Sequence, residues 1–196
     1  MDNHNNQIKF NKIILITAPS GAGKTSIVKY LLNKISKLSF SVSATTRSPR
    51  PDEKDGLDYY FLPEEEFKTR IYKKEFLEWE MVYEGKYYGT LKTELERIWK
   101  NNKIPVLDID VQGAIHVQQQ YPVNTISIFI QAPSVEALRT RLESRGSETA
   151  ATIQTRISKA SYEITFKDQF KFVVVNDDLE RACAETEKIV MDFIQI

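Results

Sequence analysis

The segment Ala18 to Thr25, APSGAGKT, has the residue types and spacing of a loop that binds phosphate groups. It follows a β-branched apolar run and opens a stretch with helical periodicity, which is the strand, loop and helix context that gives a Walker A match its meaning. Backbone amides and the helix N-terminus present partial positive charge to phosphates, and Gly21 and Gly23 let the backbone approach them closely. Lys24 is predicted to bridge the outer phosphates and Thr25 to bind Mg²⁺.

The loop departs from the GxxxxGK[ST] pattern at its first position, where Ala18 replaces glycine. If this position needs a positive φ, the methyl group costs about 1 kcal/mol, and otherwise it costs nothing. Asp108 follows the apolar run Ile104 to Leu107 and is predicted to be the Walker B-like carboxylate that organises Mg²⁺ and its waters. The alternative interpretation is an ordinary glycine-containing turn before a helix, with an unrelated acidic residue at a strand end.

The elements that must position these residues alternate between strands and helices. Apolar runs predict buried strands, and a 3.6-residue periodicity predicts helices. The strands are expected at Lys12 to Thr17, Ile104 to Ile109, Thr125 to Ile130 and Phe172 to Val175, and helices after the loop and at Leu91 to Lys100, Val111 to Gln119 and Leu179 to Phe193. This alternation predicts an α/β fold with a mainly parallel sheet flanked by helices.

Two stretches interrupt the alternation. Residues 41–89, rich in Pro, Gly, Tyr and charge, are interpreted as an inserted substrate-binding subdomain with one helix starting near Pro63. Residues 134–163 contain two helical patterns broken at Gly146, with Ser134 and Ser147 as possible N-caps, and are expected to form a mobile lid.

Composition excludes several other classes of protein. The 27 basic and 27 acidic side chains cancel, so no net field attracts a nucleic acid or an anionic membrane. No apolar run reaches the roughly 20 residues of a membrane span. The single Cys183 and the polar start of the chain indicate a reducing cytoplasm. With His4 and His116 as the two histidines, neither a zinc site nor a nucleophile-plus-base pair is expected.

Several further segments carry a family resemblance. From Ser41 the chain reads SVSATTRSPRPDEKDGLDYYF, followed by FLEW at 76–79, YYGT at 87–90 and LDIDVQGA at 107–114. Together, and in this order, they resemble guanylate kinase, over nearly the whole chain from about Ile13. The resemblance implies the P-loop nucleoside-monophosphate kinase fold, transfer of a phosphoryl group from ATP to GMP, and a requirement for Mg²⁺. It also implies one domain over residues 1–196, with a core (10–40, 91–133 and 164–196), a GMP-binding subdomain (41–90) and a lid (134–163).

The resemblance also implies the residues of the GMP site. The phosphate of GMP would be held by Arg47, Arg50, Tyr59 and Tyr88, and the guanine would contact Ser43, Glu78, Thr90 and Asp110. These residue types match the chemistry of GMP. Guanidinium groups suit a phosphate dianion, and carboxylates accept hydrogen bonds from the N1 hydrogen and the 2-amino group of guanine. The stretch between Glu78 and Gly89 is one residue longer than is usual in the family, so Glu80 is an alternative candidate for the guanine contact. The same contacts would also accept dGMP. Trp79 and Trp99 are expected to pack in the interior.

In the lid, the run LRTRLESRGSETAATIQTRI resembles the family and implies Arg145 and Arg156 as catalytic cations, with Arg141 near ATP. With Lys24 and Asp108, these two arginines complete the predicted catalytic set. The predicted ATP-binding set is Ala18, Pro19, Ser20, Gly21, Ala22, Gly23, Lys24, Thr25 and Arg141. No general base is needed, because the nucleophile is an ionised phosphate oxygen of GMP.

Two alternatives to a GMP kinase stay open at this point. One is a guanylate kinase-like binding module for protein partners, and the other is a phosphate-loop kinase for a different nucleotide or a phosphorylated sugar. The chain is expected to be a monomer or a homodimer, and the sequence does not distinguish these states.

Overall fold

The computed structural model of the chain describes residues 11–144 and 149–195. In chain order its strands are β1 (Ile13–Thr17), β2 (Leu38–Phe40), β3 (Ala44–Thr45), β4 (Tyr60–Phe61), β5 (Phe76–Tyr83), β6 (Lys86–Leu91), β7 (Ile104–Asp108), β8 (Thr125–Gln131) and β9 (Phe172–Val175). The helices are α1 (Lys24–Lys34), α2 (Glu64–Tyr72), α3 (Lys92–Lys100), α4 (Val111–Gln120), α5 (Val135–Glu143), α6 (Ala150–Ile164) and α7 (Leu179–Gln195), with a 3₁₀ turn at Lys167–Gln169.

The central sheet is parallel throughout and has the order β2-β7-β1-β8-β9. All of β1 is buried because helices cover both faces of the sheet. Ile14 and Ile16 face a core that includes residues of α1, α5, α6 and α7. Ile13 and Leu15 face a second core with residues of α3 and α4. The predicted α/β class, with a mainly parallel sheet between helices, is confirmed.

A second sheet, of order β4-β3-β6-β5, is built from residues between 44 and 91. Its strand β3 pairs in parallel with β4 and antiparallel with β6, and β5 pairs antiparallel with β6. Helix α2 covers it through a small core of Ala44, Phe67, Phe76 and Leu91, in which the rings of Phe67 and Phe76 stack at 4.3 Å. This sheet lies within the range expected for an inserted subdomain.

Local details differ from the expectations in three places. Ser134 caps α5 as predicted, since its Oγ accepts from the Ala137 amide at 3.1 Å. The prediction of Ser147 as the cap of the next helix is wrong. Helix α6 begins at Ala150, and Thr149 caps it by accepting from the Thr152 amide at 3.3 Å. Gly146 and Ser147 themselves lie outside the described residues.

The second difference is Trp79, which is 41% exposed and therefore does not pack in the interior as predicted. It lies against Tyr87 of the second sheet, with ring centroids 6.1 Å apart. Trp99 is partly buried against the core and donates from Nε1 to the Lys12 carbonyl at 3.2 Å.

The third difference is strand β2, which the sequence did not predict. It forms the edge of the parallel sheet next to β7. Within the described ranges, no helix combines the length and apolar character needed to cross a membrane.

Candidate active site

The phosphate loop and Asp108 meet because their strands are neighbours. β1 and β7 are parallel, and Ile16 is the register partner of Asp108, so the segments that follow both strands emerge at the same edge of the sheet. In doubly wound sheets this edge is where ligands bind. Lys24, the first residue of α1, forms an ion pair with Asp108 and donates to the Ile109 carbonyl at 3.2 Å.

The loop takes its sharp turns at glycines. Gly21 and Gly23 have φ values of 89° and 95°, in the left-handed region that favours glycine. Ala18 does not need this region, because the non-glycine residues with positive φ in the described chain are Lys74 and Asn102. Alanine at the first position of the motif therefore adds no backbone strain. A side chain at Gly23 would also collide with Asn176, whose Nδ2 donates to the Ala22 carbonyl at 2.7 Å.

One cavity of about 410 Å³ joins this loop to the second sheet. Its lining includes fourteen of the predicted site residues: Ala18, Pro19, Ser20, Gly21, Gly23, Lys24, Thr25, Ser43, Tyr59, Glu78, Tyr88, Asp108, Asp110 and Arg156. The lining does not include Ala22, Arg47, Arg50, Thr90 or Arg141. Arg145 lies outside the described residues. A single cavity thus brings together a phosphate loop and the carboxylates expected to contact guanine.

The carboxylates Glu78 and Asp110 form the acidic end of the cavity. Glu78 is buried in β5, and its Oε1 accepts from the Thr90 hydroxyl at 2.7 Å. Asp110 caps α4 by accepting from the Gly113 amide at 2.9 Å. Burial raises the pKa of Glu78 to about 7, the Thr90 hydrogen bond opposes this rise, and the nearby Asp110 adds to it. Thr90 is therefore a residue that holds Glu78 rather than one that lines the cavity.

Glycine at position 113 lets the Glu78 carboxylate approach the backbone of α4. A Cβ atom built on Gly113 would lie 2.5 Å from Oε2 of Glu78. With a larger residue at this position the Glu78 carboxylate would have to move away from the helix backbone. Glu80, the rival on the same strand, lines neighbouring depressions and lies 3.7 Å from Nδ1 of His116. The geometry therefore favours Glu78 for the guanine contact.

Arg47 is held beside the cavity by an acidic partner that the sequence did not reveal. Its two terminal nitrogens each donate to Glu53 at 2.6 Å, and its guanidinium lies 4.8 Å from the ring centroid of Tyr59. The same ion pair lowers the pKa of Glu53 to about 2. Arg50 is exposed, and its amide donates to Glu53 at 2.8 Å. Arg47 therefore lies against Tyr59, beside the cavity, and Glu53 contacts both Arg47 and the backbone of Arg50.

Helix α6 contributes one predicted arginine to the cavity, and α5 contributes a second that lies next to the phosphate loop. Arg156 of α6 donates from Nη1 to the Ser20 hydroxyl at 3.1 Å, which joins the helix to the phosphate loop. Arg141 of α5 donates to the Asn176 carbonyl at 2.8 Å, next to the same loop.

Sequence reasoning missed Lys159 and Glu163, which also line the cavity. Their positions three and seven residues after Arg156 place all three on one face of α6, and this spacing was the available signal.

The donors around Lys24 suit a magnesium ion. Thr25 and Asp108 both line the cavity, and a hydroxyl and a carboxylate are the hard oxygen ligands that Mg²⁺ prefers. Within the described ranges there is no group of three or more His, Cys, Asp or Glu residues arranged to hold a metal. A site with one carboxylate is nevertheless typical of Mg²⁺ bound together with nucleotide phosphates.

Comparison with known proteins agrees with this geometry. A family profile described as guanylate kinase matches residues 10–193. The chain belongs to the guanylate kinase family. The guanylate kinase of Bacteroides thetaiotaomicron is 48% identical over 183 residues, which cover 93% of this chain and 90% of that protein. The guanylate kinase of Porphyromonas gingivalis is 46% identical, over 93% of this chain and 98% of that protein. The crystal structure of guanylate kinase from Anaplasma phagocytophilum has a TM-score of 0.75 and 30% identity, over 92% of this chain and 85% of that one.

Proposed function

We propose that the residues around the 410 Å³ cavity transfer the γ-phosphoryl group of ATP to GMP or dGMP, giving ADP and GDP or dGDP. As a member of the guanylate kinase family the chain is an enzyme, a nucleoside-monophosphate kinase, and ATP:GMP phosphotransfer is the reaction of that family. The observation that carries the proposal is that Lys24 and Asp108 border the same cavity as Glu78 and Asp110.

At the triphosphate end, the backbone amides of the loop cradle the phosphates, and Lys24 neutralises the outer ones. Thr25 and Asp108 would hold Mg²⁺, Asp108 through water. When bound with ATP, this ion supplies positive charge to the oxygens of the phosphates and orients them. Lys24 exchanges its ion pair with Asp108 for the nucleotide phosphates, which frees that carboxylate.

At the acceptor end, Glu78 and Asp110 accept hydrogen bonds from the N1 hydrogen and 2-amino group of guanine, and Ser43 completes the polar lining. Adenine lacks these donors and would leave the buried Glu78 without a partner on the base, which can reduce the use of adenine nucleotides by about 10⁴-fold. The phosphate of GMP is held by Arg47, Arg50, Tyr59 and Tyr88, with Arg47 released from Glu53 when the dianion binds.

Phosphoryl transfer between two polyanions needs cations around the transferred group and a fixed line of attack. Arg156, already hydrogen-bonded to Ser20 of the loop, supplies one such cation, and Arg145 is proposed to supply another. Arg141 supports the ATP-binding end of the cavity by donating to the carbonyl of Asn176, whose side chain contacts the phosphate loop. The attacking oxygen of GMP is already ionised near pH 7, so these residues position and neutralise rather than remove a proton.

The remaining proposals concern organisation and location. Residues 10–40, 91–133 and 164–196 would form the core, 41–90 the GMP-binding subdomain and 134–163 the lid. A cytoplasmic enzyme of purine nucleotide metabolism, monomeric or homodimeric, suits these substrates and the unpaired, buried Cys183.

The test is a coupled assay of ADP release with GMP, dGMP, AMP, CMP and UMP as acceptors. The expected result is activity confined to guanine nucleotides and dependent on Mg²⁺. Equal use of another nucleotide would refute the assigned specificity. The absence of ADP release with every acceptor would instead favour a binding module.

A further inference from the structure

Helix α6, which we call the lid helix, turns one charged face to the cavity. Arg156, Lys159 and Glu163 occupy this face and all three line the cavity. The adjoining face carries Ile153 and Ile157, which are buried in the core. The packing of these isoleucines fixes which way the charged face points. Lys159 and Glu163 have no part in the reaction as proposed above.

The cavity continues into a crevice of about 220 Å³ between the lid helix and β5. Lys159 and Glu163 lie on the helix wall, Glu80 and Val82 on the β5 wall, and Asp110 at the start of α4 between them. Lys159 is close to Glu163, with Nζ 3.7 Å from Oε1. This distance is that of an ion pair but exceeds a good hydrogen bond, and the lysine side chain is 48% exposed. Its ammonium group is therefore free to reach further into the crevice.

The crevice gathers negative charge that this lysine opposes. Burial raises the pKa of Glu80 and of Glu163, and Asp110 raises both further, whereas Lys159 lowers both. His116 is the other cation facing Glu80, at 3.7 Å, but it is charged only when protonated. Lysine carries its charge throughout the physiological range, so Lys159 is attracted to carboxylates on both walls.

We propose that Lys159 is a positioning residue, which bridges Glu163 on the lid helix and Glu80 on β5 when the cleft closes on GMP. The inference rests on the proposed function of the same site. β5 also carries Glu78, the proposed guanine contact, and the lid helix also carries Arg156. The bridge therefore couples the seating of the guanine base to the approach of the catalytic arginine. Without it, GMP must close the cleft against the mutual repulsion of Glu80, Asp110 and Glu163.

The experiment is a double-mutant cycle in the full chain, with steady-state kinetics in GMP and in ATP. We expect Lys159→Glu and Glu80→Lys each to raise the KM for GMP by about fivefold or more, the range of coupling between contacting charges. The KM for ATP should change less than twofold, because the phosphate loop is untouched. The charge-swapped double variant should recover a KM for GMP within about twofold of the wild type. Lys159→Arg should behave as the wild type.

The control is Lys68→Glu, which removes an exposed ion pair of the same helical spacing with Glu64, and neither residue lines the cavity or the crevice. It should leave both KM values unchanged. The inference is overturned if the double variant is as impaired as the product of the two single changes, or if Lys159→Glu leaves the KM for GMP within twofold. Either result with an active wild type leaves the proposed function intact, whereas an inactive wild type refutes that function instead.

Discussion

The buried carboxylate of Glu78 should make the stability of the ligand-free protein depend on pH. Its pKa rises from an ordinary 4.5 to about 7, chiefly because it is buried. Between these values the folded chain binds a proton that the unfolded chain has lost, so the free energy of unfolding falls as pH rises through this window. At 1.36 kcal/mol for each pKa unit, the full penalty above pH 7 is roughly 3 kcal/mol.

The perturbation that isolates this penalty is Glu78→Gln. Glutamine keeps the shape and can still accept from the Thr90 hydroxyl, but it cannot ionise. Urea unfolding of both proteins without nucleotide should give similar free energies near pH 4.5. At pH 8 the variant should be more stable by roughly 2–3 kcal/mol. A difference between the two proteins that stays constant from pH 4.5 to pH 8 would refute the reasoning.

Glu80→Gln is the matched control, two residues along the same strand. Its side chain is 31% exposed, so water already stabilises the charge and the pH dependence of the difference should be smaller. The more stable Glu78→Gln variant should bind GMP less well, because an amide group would replace the carboxylate that accepts from the guanine donors. The KM for GMP should rise about tenfold or more in Glu78→Gln.

Three further changes test other parts of the site. Lys24→Ala should lower turnover by about 10²-fold or more while the KM for GMP changes little, and near-normal turnover would contradict the role of the lysine. Gly113→Ala should raise the KM for GMP because the new Cβ displaces Glu78, even though alanine favours the helix by about 1 kcal/mol. The control Gln119→Ala, at an exposed position of the same helix, should leave the KM for GMP unchanged. Arg47→Lys should raise the KM for GMP about tenfold by losing the paired guanidinium donors, and an unchanged value would place the phosphate elsewhere.

The central sheet could be predicted from sequence because its signal is local. Strands of a parallel sheet between helices read as largely apolar runs, and β1, β7, β8 and β9 all carried that pattern. β2 did not, because its three residues are too few to form such a run. The family and the fold class followed from motifs and are confirmed, whereas the roles of individual site residues stay predictions.

The missed features depend on tertiary structure. The spacing of Lys159 and Glu163 shows that they share a helix face, but only packing decides that this face borders the cavity rather than solvent. The exposure of Trp79 follows from which face of β5 is covered, and no local pattern fixes that choice. The partner of Arg47 is Glu53, six residues away in an irregular loop whose path the sequence does not determine.

Two of the cations proposed to bind phosphate share one arrangement, which would explain how a neutral chain binds two polyanions. Lys24 is paired with Asp108, and Arg47 with Glu53. Ion pairs that water can reach are weak, so exchanging the carboxylate for a phosphate costs little. The pairs hold the cationic side chains near the cavity before the substrates arrive, and phosphate then replaces the carboxylate through stronger, multiply hydrogen-bonded contacts. Because each released carboxylate stays close by, it opposes the retention of a phosphate that has lost its other contacts. The same pairing should therefore favour both rapid binding and the release of products.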